Sequence, residues 1–372
     1  LVDSATQTGL YRSDDLGNTW KFVTADANIT ARPFYFTHIY ANPSNADELW
    51  SPANKLWRSV DAGKSWILEP SAKDDFQDIW IDPQDPMRMI ATCDGGTAVT
   101  LTGGKSWSTF ANQSGVQFYR VDTDDQFPYR VYGNAQDLLT YSVPSASRWG
   151  GIPLHMTDFI GNGETGRAIP KPGDPNIVYG LSTGATFGAA TMFTVNNVQT
   201  GQTEPRPIWP EVLFGTPASE FKYRFNWQAP FLVSPHDPST IYFAGNVVFR
   251  SRDEGMTWEK ISDDLTHNMT DKMKVAGSEW LPEYFGQETF STIHRLAESP
   301  HEQGVLWAGT DDGRVWITRD GGGAWTEVTL PGLPELSGIY EIEVSPHDKA
   351  TTYLAITRYR KADDYDPYLL KT

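Results

Sequence analysis

Four acidic residues are the side chains of this sequence best placed to perform acid–base chemistry. Hydrolysis of a glycosidic bond needs two carboxyl groups that face one pocket, roughly 5 to 10 Å apart, with the pKa of one of them raised. The chain has 47 Asp and Glu residues, so only their position can single out a pair. The candidates fall at the ends of predicted inner strands and are Asp137, Glu164, Asp311 and Asp312.

Polar and aromatic residues predicted at the same strand ends form a candidate ligand site. A Trp ring offers a flat face to the C–H groups of a sugar, while an Arg and nearby carboxylates bond its hydroxyl groups. The alternative is that these side chains bond only to water and to one another, as polar groups in an internal channel do. The set comprises His38, Asp75, Gln77, Asp94, Gln117, Gln136, Arg224, Asn226, Trp227 and Glu288.

Two recurring sequence motifs predict the elements that must position these residues. The first is S-x-D-x-G-x-[TS]-W, at 13–20, 59–66 and 251–258, with looser copies at 100–107 and 318–325. In a tight hairpin the Ser and Asp side chains bond backbone N–H groups, the Gly tolerates a positive φ, and the Trp folds over the turn. The motif therefore indicates a hairpin and is only weak evidence for a catalytic or binding role.

The second motif is a turn, usually with Pro, between two predicted strands, and it occurs seven times. The turns begin near Asn42, Asp82, Asp122, Pro172, Ser234, Ser299 and Ser345, and in the third one Thr123 is interpreted as the replacement for Pro. Each turn is followed by further strands and by the hairpin or its remnant, which is the order of a four-stranded antiparallel blade. Two blades lack the hairpin, and their third strands are predicted near 138–143 and 191–195.

The repeat count predicts an all-β, seven-bladed β-propeller of four-stranded antiparallel blades, as a single domain over residues 1–372. Seven blades in 372 residues give roughly 53 residues each, at the long end for such repeats. The aromatic content of 13%, with 32 Gly and 25 Pro, fits many short strands joined by turns. Because the chain does not begin with Met, we expect it to be processed or part of a longer protein.

Charge and cysteine content restrict the partners and the compartment. A net charge of −17 argues against a nucleic acid or an anionic membrane as partner, and neither a membrane-spanning run nor a signal peptide is present. Cys93 is the only cysteine, so no intrachain disulfide can form. We expect a secreted or extracellular protein, with three sequons as glycosylation sites, at Asn28, Asn112 and Asn268.

The hairpin motif resembles the Asp-box, or BNR, repeat of sialidases, tandem-propeller xyloglucanases and the sortilin luminal domain. A closer resemblance, to the sortilin-like or "glycosyl hydrolase BNR repeat" family, rests on segments 32–35, 78–83, 93–96, 117–121, 128–133, 136–137, 223–227 and 306–313. It implies the propeller fold. The chain departs from that family at 73–77, where members often carry a His-rich cluster, and at 161–164, which matches an acidic Gly-rich turn only loosely.

Several chemistries are not predicted. The arginine triad and the F/Y-R-I-P signature of sialidases are missing, as are G-x-S-x-G, a P-loop, paired C-x-x-C and H-E-x-x-H. His236, His301 and His347 follow the Pro of three turns, which favours a place in the repeat over a metal site. No cofactor is predicted, although the acidic run 363–366 could hold a hard cation such as calcium.

Two hypotheses about function therefore remain open. The first is a secreted or surface protein that binds, and could also hydrolyse, a carbohydrate at an axial pocket. The second is a non-catalytic, sortilin-like scaffold that binds a protein or peptide partner. A catalytic pocket requires two carboxylates at glycosidase spacing. If the four candidate carboxylates are scattered, or buried in satisfied hydrogen-bond networks, hydrolysis is disfavoured.

Overall fold

A computed structural model describes residues 8–30, 38–69, 74–110, 115–136, 138–160, 163–184, 189–210, 217–273, 289–328 and 330–372. At 181–184, 189–191 and 360 it describes the backbone alone. Three predicted residues, Asp137, Asn112 and Glu288, lie outside the described residues. The chain divides into two compact units, an N-terminal unit at 1–115 and a C-terminal unit at 116–372. A single domain over 1–372 stays a prediction.

The described residues are almost entirely β structure, as the sequence predicts. They contain eight antiparallel sheets, here called A to H in chain order, and in each sheet strands that follow one another in sequence lie side by side. Helical structure in this part of the chain is limited to α1 (Tyr359–Ala362) and to 3₁₀ turns at Leu154–Met156, Ala218–Glu220 and Thr270–Lys272. Every sheet is thus a simple meander joined by short turns.

The N-terminal unit contains sheets A, B and C. Its core is formed by Trp50, Phe76, Ile79, Met89 and Phe110. Sheet A contains β1 (Leu10–Arg12) and β2 (Lys21–Thr24); sheet B contains β3 (Tyr40–Asn42), β4 (Asn45–Pro52), β5 (Leu56–Ser59) and β6 (Ile67–Leu68); sheet C contains β7 (Phe76–Ile81), β8 (Met89–Cys93) and β9 (Gly96–Thr100).

The C-terminal unit contains sheets D to H, and its largest core cluster is rich in phenylalanine, including Phe193, Phe225, Phe231, Phe243 and Phe249. Sheet D contains β10 (Phe118–Thr123), β11 (Arg130–Ala135), β12 (Thr140–Pro144) and β13 (Asp158–Ile160); sheet E contains β14 (Ala168–Lys171), β15 (Asp174–Gly184), β16 (Ala189–Asn197) and β17 (Gln202–Pro205); sheet F contains β18 (Phe231–Val233), β19 (Ile241–Ala244), β20 (Val248–Ser251) and β21 (Glu259–Lys260); sheet G contains β22 (Ile293–Glu298), β23 (Leu306–Thr310), β24 (Val315–Thr318) and β25 (Thr326–Glu327); sheet H contains β26 (Gly338–Val344), β27 (Thr352–Arg358) and β28 (Asp364–Lys371).

Sheets A, C and H depart from the four-stranded expectation, since among the described residues sheet A has two strands and sheets C and H have three each. Beyond β9 the chain does return alongside the sheet, and the Ser108 N–H donates to the Val99 carbonyl at 2.9 Å. The Val99 N–H, however, donates to the Ser108 hydroxyl at 3.0 Å. A side chain thus replaces the backbone acceptor that a fourth strand would supply.

The hairpin turns have the hydrogen bonds that their residue types predict. In the turn 59–66, Gly63 N–H donates to Ser59 Oγ at 2.8 Å and Ser65 N–H donates to Asp61 Oδ1 at 2.9 Å. Gly63 has a φ of 85°, and its carbonyl accepts the indole N–H of Trp66 at 3.1 Å. Donation by the Ser65 backbone and hydroxyl lowers the pKa of Asp61 to about 2. The carboxylate therefore serves the turn as an acceptor.

Candidate functional site

The first strand of each sheet is called its leading strand. Four leading strands contain a β-bulge at the same place. In β7, Phe76 pairs with Cys93 and Asp78 pairs with Thr92, which leaves Gln77 as the extra residue. The same irregularity lies between Phe118 and Val121 in β10, between Ile293 and Arg295 in β22, and between Ile339 and Glu341 in β26. A bulge re-aims a side chain away from the alternating pattern of a strand.

In the C-terminal unit, three of these bulges bring charged groups together. The carboxylate of Glu341 accepts a hydrogen bond from Arg295 Nε at 3.2 Å and lies 3.9 Å from Arg120 Nη1. The Glu341 side chain is 53% exposed, whereas that of Arg295 is 13% exposed. One solvent-accessible carboxylate is thus shared between two guanidinium groups from different sheets.

A third arginine lies in the same group, just before β14. Arg167 donates from Nε to Asp122 Oδ2 at 3.1 Å and makes a second contact from Nη2 to Oδ1 of the same carboxylate. Its remaining nitrogen, Nη1, lies 3.4 Å from the carbonyl oxygen of Phe231. Such a two-point pair holds both partners in a fixed orientation. We call the five residues of this group, Arg120, Asp122, Arg167, Arg295 and Glu341, the arginine cluster.

The arginine cluster has one more positive charge than negative charge, with three guanidinium groups and two carboxylates. Burial lowers the pKa of Arg120, which Glu341 opposes and Arg167 reinforces. Burial and then Arg120 lower the pKa of Arg295 to about 10, again against the effect of Glu341. Both groups stay protonated at neutral pH, so their mutual repulsion persists there.

Rings lie next to the arginines in sequence and in space. The Tyr119 hydroxyl, beside Arg120, accepts a hydrogen bond from the Trp227 indole N–H at 2.9 Å, and the two rings meet edge to face. The rings of His294 and Tyr340 lie 4.3 Å apart. Arg295 Nη1 approaches His294 Nδ1 at 3.0 Å, and because a guanidinium can only donate, that nitrogen is the acceptor. The bulges therefore place aromatic rings beside the charged groups, with His294 buried and Tyr119, Trp227 and Tyr340 partly exposed.

Asp311 and Asp312 are buried and hydrogen-bonded within the chain. Asp311 is 4% exposed, and its two oxygens accept from the N–H and the hydroxyl of Thr292 at 2.8 and 2.9 Å. Burial raises the pKa of Asp311 to about 6, with Lys361 acting in the opposite direction. Asp312 is 2% exposed and accepts from the His267 N–H at 2.8 Å and from the Thr310 hydroxyl at 2.6 Å.

Arg224 is also buried, in contrast to its expected place at a ligand. Its guanidinium donates to Asp264 Oδ2 at 2.8 Å, to the Thr266 hydroxyl at 3.0 Å and to the Ser291 carbonyl at 3.1 Å. Hydrogen bonds from Thr266 and Asn246, together with Arg224, lower the pKa of Asp264 although burial acts in the opposite direction. These contacts join loops of sheets F and G. The guanidinium nitrogens of Arg224 thus bond to groups of the protein itself.

The other candidates of the C-terminal unit fall into three places. The Asn226 amide donates to the Thr292 hydroxyl at 3.2 Å, one residue before Trp227. Gln117 and Gln136 are joined by a backbone hydrogen bond of 2.9 Å at the end of the β10–β11 pair. Glu164 is half-buried in the segment that leads to Arg167.

In the N-terminal unit the structure brings three predicted residues together. His38 Nδ1 donates to the backbone carbonyl of Gln77 at 3.1 Å, and the Gln77 amide donates to Asp94 Oδ1 at 3.1 Å. Gln77 is the bulge residue of β7, and Asp75 has a φ of 56° just before that strand. His38 and Asp94 are exposed, so the hydrogen-bonded group of His38, Gln77 and Asp94 has polar atoms that solvent can reach.

The arginine cluster was not predicted, because the third turn was aligned two residues too early. Asp124 N–H bonds the Arg130 carbonyl at 3.3 Å, just as Asp82 N–H bonds that of Arg88 at 3.0 Å, so Asp125, and not Thr123, stands in place of Pro. With that register Tyr119 stands six residues before the Pro position, as Gln77 does before Pro83. His294 and Tyr340 precede Pro300 and Pro346 by the same distance. The constant spacing of six residues before the Pro position was the sequence signal from which these bulge residues could have been found.

Among the residues that the structure describes, no group of three or more His, Cys, Asp or Glu side chains is arranged to hold a metal ion. In the acidic run 363–366, Asp364 pairs with Arg358 and accepts from the Tyr368 hydroxyl at 2.9 Å. A calcium ion at this run stays a prediction. No helix in the described part of the chain is long and apolar enough to cross a membrane.

No protein-family model matches the chain, and no curated protein matches it. Solved structures are similar to it at low identity. A GH74 enzyme of Niastella koreensis is 14% identical with a TM-score of 0.28, over 92% of this chain and 57% of that chain. The GH74 xyloglucanase of Xanthomonas campestris is 12% identical with a TM-score of 0.28, over 98% of this chain and 69% of that one.

YCF48 of Cyanidioschyzon merolae is 11% identical with a TM-score of 0.36, over 90% of this chain and 93% of that chain. The present chain thus spans 57% of the length of the Niastella enzyme and nearly the whole of YCF48. With TM-scores below 0.5, none of these similarities is evidence for an activity, a ligand or a partner of this chain.

Proposed function

We propose that this chain is a carbohydrate-binding protein that takes its ligand at the arginine cluster and the rings beside it. The observation that carries the proposal is the shared position of the bulges, which turns Arg120, Arg295 and Glu341 toward one another. Sugars are bound by aromatic faces combined with charged and polar groups of this kind. The seven-bladed propeller with Asp-box hairpins, and the single domain over 1–372, are part of the same proposal.

Binding without hydrolysis is the form of the proposal that the carboxylates support. A general acid must reach the glycosidic oxygen with a free carboxyl group. Asp311 has the raised pKa that such an acid needs, yet both of its oxygens are occupied by Thr292 and it is nearly inaccessible. Asp312 is equally buried, and Glu341 is held by arginines. Catalytic roles for Asp137, Glu164, Asp311 and Asp312 stay predictions.

A glycan-array screen, followed by titration of the hits, tests the proposal. Arg120→Ala and Arg295→Ala should each weaken binding by about tenfold or more, since each removes a charged donor from the site. Arg319→Ala, an exposed arginine of the hairpin turn in sheet G, is the matched control and should bind normally. Unfolding curves of all variants separate a lost contact from a lost fold.

Two outcomes would contradict this function. The first is an array on which the wild-type protein binds no glycan. The second is binding that both arginine variants retain while folded. Incubation with a polysaccharide panel gives the further check on hydrolysis. Release of reducing ends by the wild type but not by Asp311→Asn or Glu164→Gln would replace binding with catalysis.

The second candidate function is a scaffold for a protein or peptide partner. The same guanidinium groups favour it, because they also fit the carboxylates of an acidic peptide. A peptide array on the same protein samples compares the two ligand classes directly. Peptide hits that require Arg120 and Arg295, in the absence of glycan hits, would establish the scaffold.

A secreted or extracellular location is also part of the proposal. Asn28 and Asn268 are exposed, as acceptors of an N-linked glycan must be. Expression through a eukaryotic secretory pathway, followed by glycosidase treatment and mass measurement of Asn28→Gln and Asn268→Gln, shows which sequons are used. Unmodified wild-type protein in the medium would remove the glycosylation part alone.

A further inference from the structure

We propose that the ligand of the arginine cluster carries a carboxylate, and that Glu341 is a built-in competitor for the same guanidinium groups. This inference rests on the proposed function and names the class of carbohydrate: acidic sugars with a uronate group. It makes Glu341 a residue that sets affinity by occupying the site, and not a residue that binds the sugar.

The two carboxylates of the cluster are held very differently. Asp122 is mostly buried, and both of its carboxylate oxygens contact Arg167, so its negative charge is paired within the protein. Glu341 is 53% exposed, and its Oε1 accepts only from the N–H of the adjacent Ile342, at 3.2 Å. Its Oε2 is the acceptor for Arg295 at 3.2 Å, while Arg120 lies 3.9 Å away, beyond hydrogen-bonding distance. Arg295 also uses Nη1 on His294, at 2.8 Å from its carbonyl oxygen, so the donors that a further carboxylate can reach are mainly those of Arg120.

One additional monoanion would balance the charge of the cluster. Three guanidinium groups face two carboxylates, and Arg120 and Arg295 are partly removed from water, where repulsion between like charges is strong. A planar carboxylate suits these groups because its two oxygens match the parallel N–H donors of a guanidinium. It can bind beside Glu341, or displace that exposed side chain from Arg295.

The rings explain why a sugar is the expected carrier of this carboxylate. Tyr119 directly precedes Arg120, and its hydroxyl is fixed by the indole of Trp227. Tyr340 directly precedes Glu341 and lies against His294, which in turn precedes Arg295. Each charged residue of the bulges thus has a ring as its neighbour in the chain. A uronate needs both elements, a guanidinium for its acid group and a ring for its C–H face.

The decisive variant is Glu341→Gln. If Glu341 competes with the ligand, its replacement should tighten the binding of tri-galacturonate by about tenfold, because the ligand no longer shares the guanidinium groups. If the cluster is only an internal salt-bridge network, the wild type should bind no uronate, and any gain in the variant should be the same for all small anions. Glu343→Gln is the matched control, with the same loss of charge at an exposed position of β26 outside the cluster, and should leave the affinity unchanged.

The probes are tri-galacturonate, a glucuronate trisaccharide and their carboxyl-reduced neutral counterparts, titrated calorimetrically against the full chain. We expect the wild type to bind at least one acid form about tenfold or more tightly than its neutral counterpart. Equal binding of acid and neutral forms overturns the inference and leaves the proposed function intact. Binding of neither form by any variant overturns the inference, and a negative glycan array is then required to reject the proposed function as well.

Three further results also decide against the inference. The first is a Glu341→Gln protein that is folded, by its unfolding curve, and binds the acids no better than the wild type. The second is an equal stabilisation of Glu341→Gln by acetate, sulfate and inorganic phosphate, which would show a site for any anion. The third is binding of an acidic peptide, tightened by Glu341→Gln, where the uronates do not bind.

Discussion

The ring of His301 donates a hydrogen bond from Nε2 to the backbone carbonyl of Ser345 at 2.9 Å. His236 makes the same bond to Ser299 at 2.8 Å. In each case the histidine after one Pro turn reaches the serine that begins the next turn, so sheet F is tied to sheet G and sheet G to sheet H. The repeated histidines therefore have a structural role in the C-terminal unit.

His301→Ala should lower the free energy of unfolding by about 1 kcal/mol, the net value of one such hydrogen bond with its acceptor left unpaired. His347→Ala, at the corresponding and exposed position of the last turn, is the control and should change stability by less than about 0.5 kcal/mol. Urea unfolding curves measure both. Equal effects of the two substitutions would show that the bond to Ser345 contributes nothing specific.

Asp311 should make stability depend on pH. Its pKa in the folded protein is about 6, above the usual value of 3.8, so between these two values the folded state holds a proton that the unfolded state has lost. The contribution of Asp311 to stability must therefore fall as pH rises from about 4 to about 6, by roughly 1 to 3 kcal/mol.

The Asp311→Asn variant cannot titrate at this position, so its free energy of unfolding relative to that of the wild type should rise between about pH 4 and about pH 6 and then level off. Glu302→Gln, an exposed carboxylate paired with Lys349, is the control and should keep the wild-type slope over this range. A variant Asp311→Asn with an unchanged pH profile would refute the assignment.

The turn at 100–107 offers a gain of stability. Thr102 stands where the other turns have Asp, and its hydroxyl accepts from the Ser106 N–H at 2.9 Å. That hydroxyl also bonds the Ser106 hydroxyl at 2.9 Å, whereas a carboxylate would offer the N–H and the hydroxyl separate oxygens, as Asp61 does for Ser65 at 2.9 and 2.7 Å. Thr102→Asp should raise the melting temperature by a few degrees, about 0.5 to 1 kcal/mol. Thr102→Ala should lower it, and the opposite order would contradict the role assigned to the acceptor.

Two neighbouring glycines of the same turn should differ sharply. A methyl group at Gly104 would lie 2.6 Å from Cη2 of the fully buried Trp50, whereas one at Gly103 would lie 3.1 Å from the flexible Met87 sulfur. Both have positive φ, so both alanine variants share the backbone cost. Gly104→Ala should therefore be about 1 to 3 kcal/mol less stable than Gly103→Ala. Equal unfolding midpoints would show that Trp50 yields without cost.

The repeat made the strands predictable. The third strands expected near 138–143 and 191–195 are β12 (Thr140–Pro144) and β16 (Ala189–Asn197), because alternation and turn residues are local signals. The site was less predictable, since a bulge is one extra residue with no composition of its own. Asp311 and Arg224 were chosen by their position in the repeat, but burial and internal partners, which depend on tertiary contacts, decide what they can bind.

The excess positive charge of the arginine cluster belongs to a chain with a net charge of −17. An acidic sugar must therefore cross a repelling field before it meets the attracting groups. Salt screens the long-range repulsion over a Debye length of about 8 Å at physiological ionic strength and affects the short contacts within the cluster much less. Added salt should consequently speed the association of an acidic ligand, the reverse of the usual slowing seen when a ligand is steered by opposite charge.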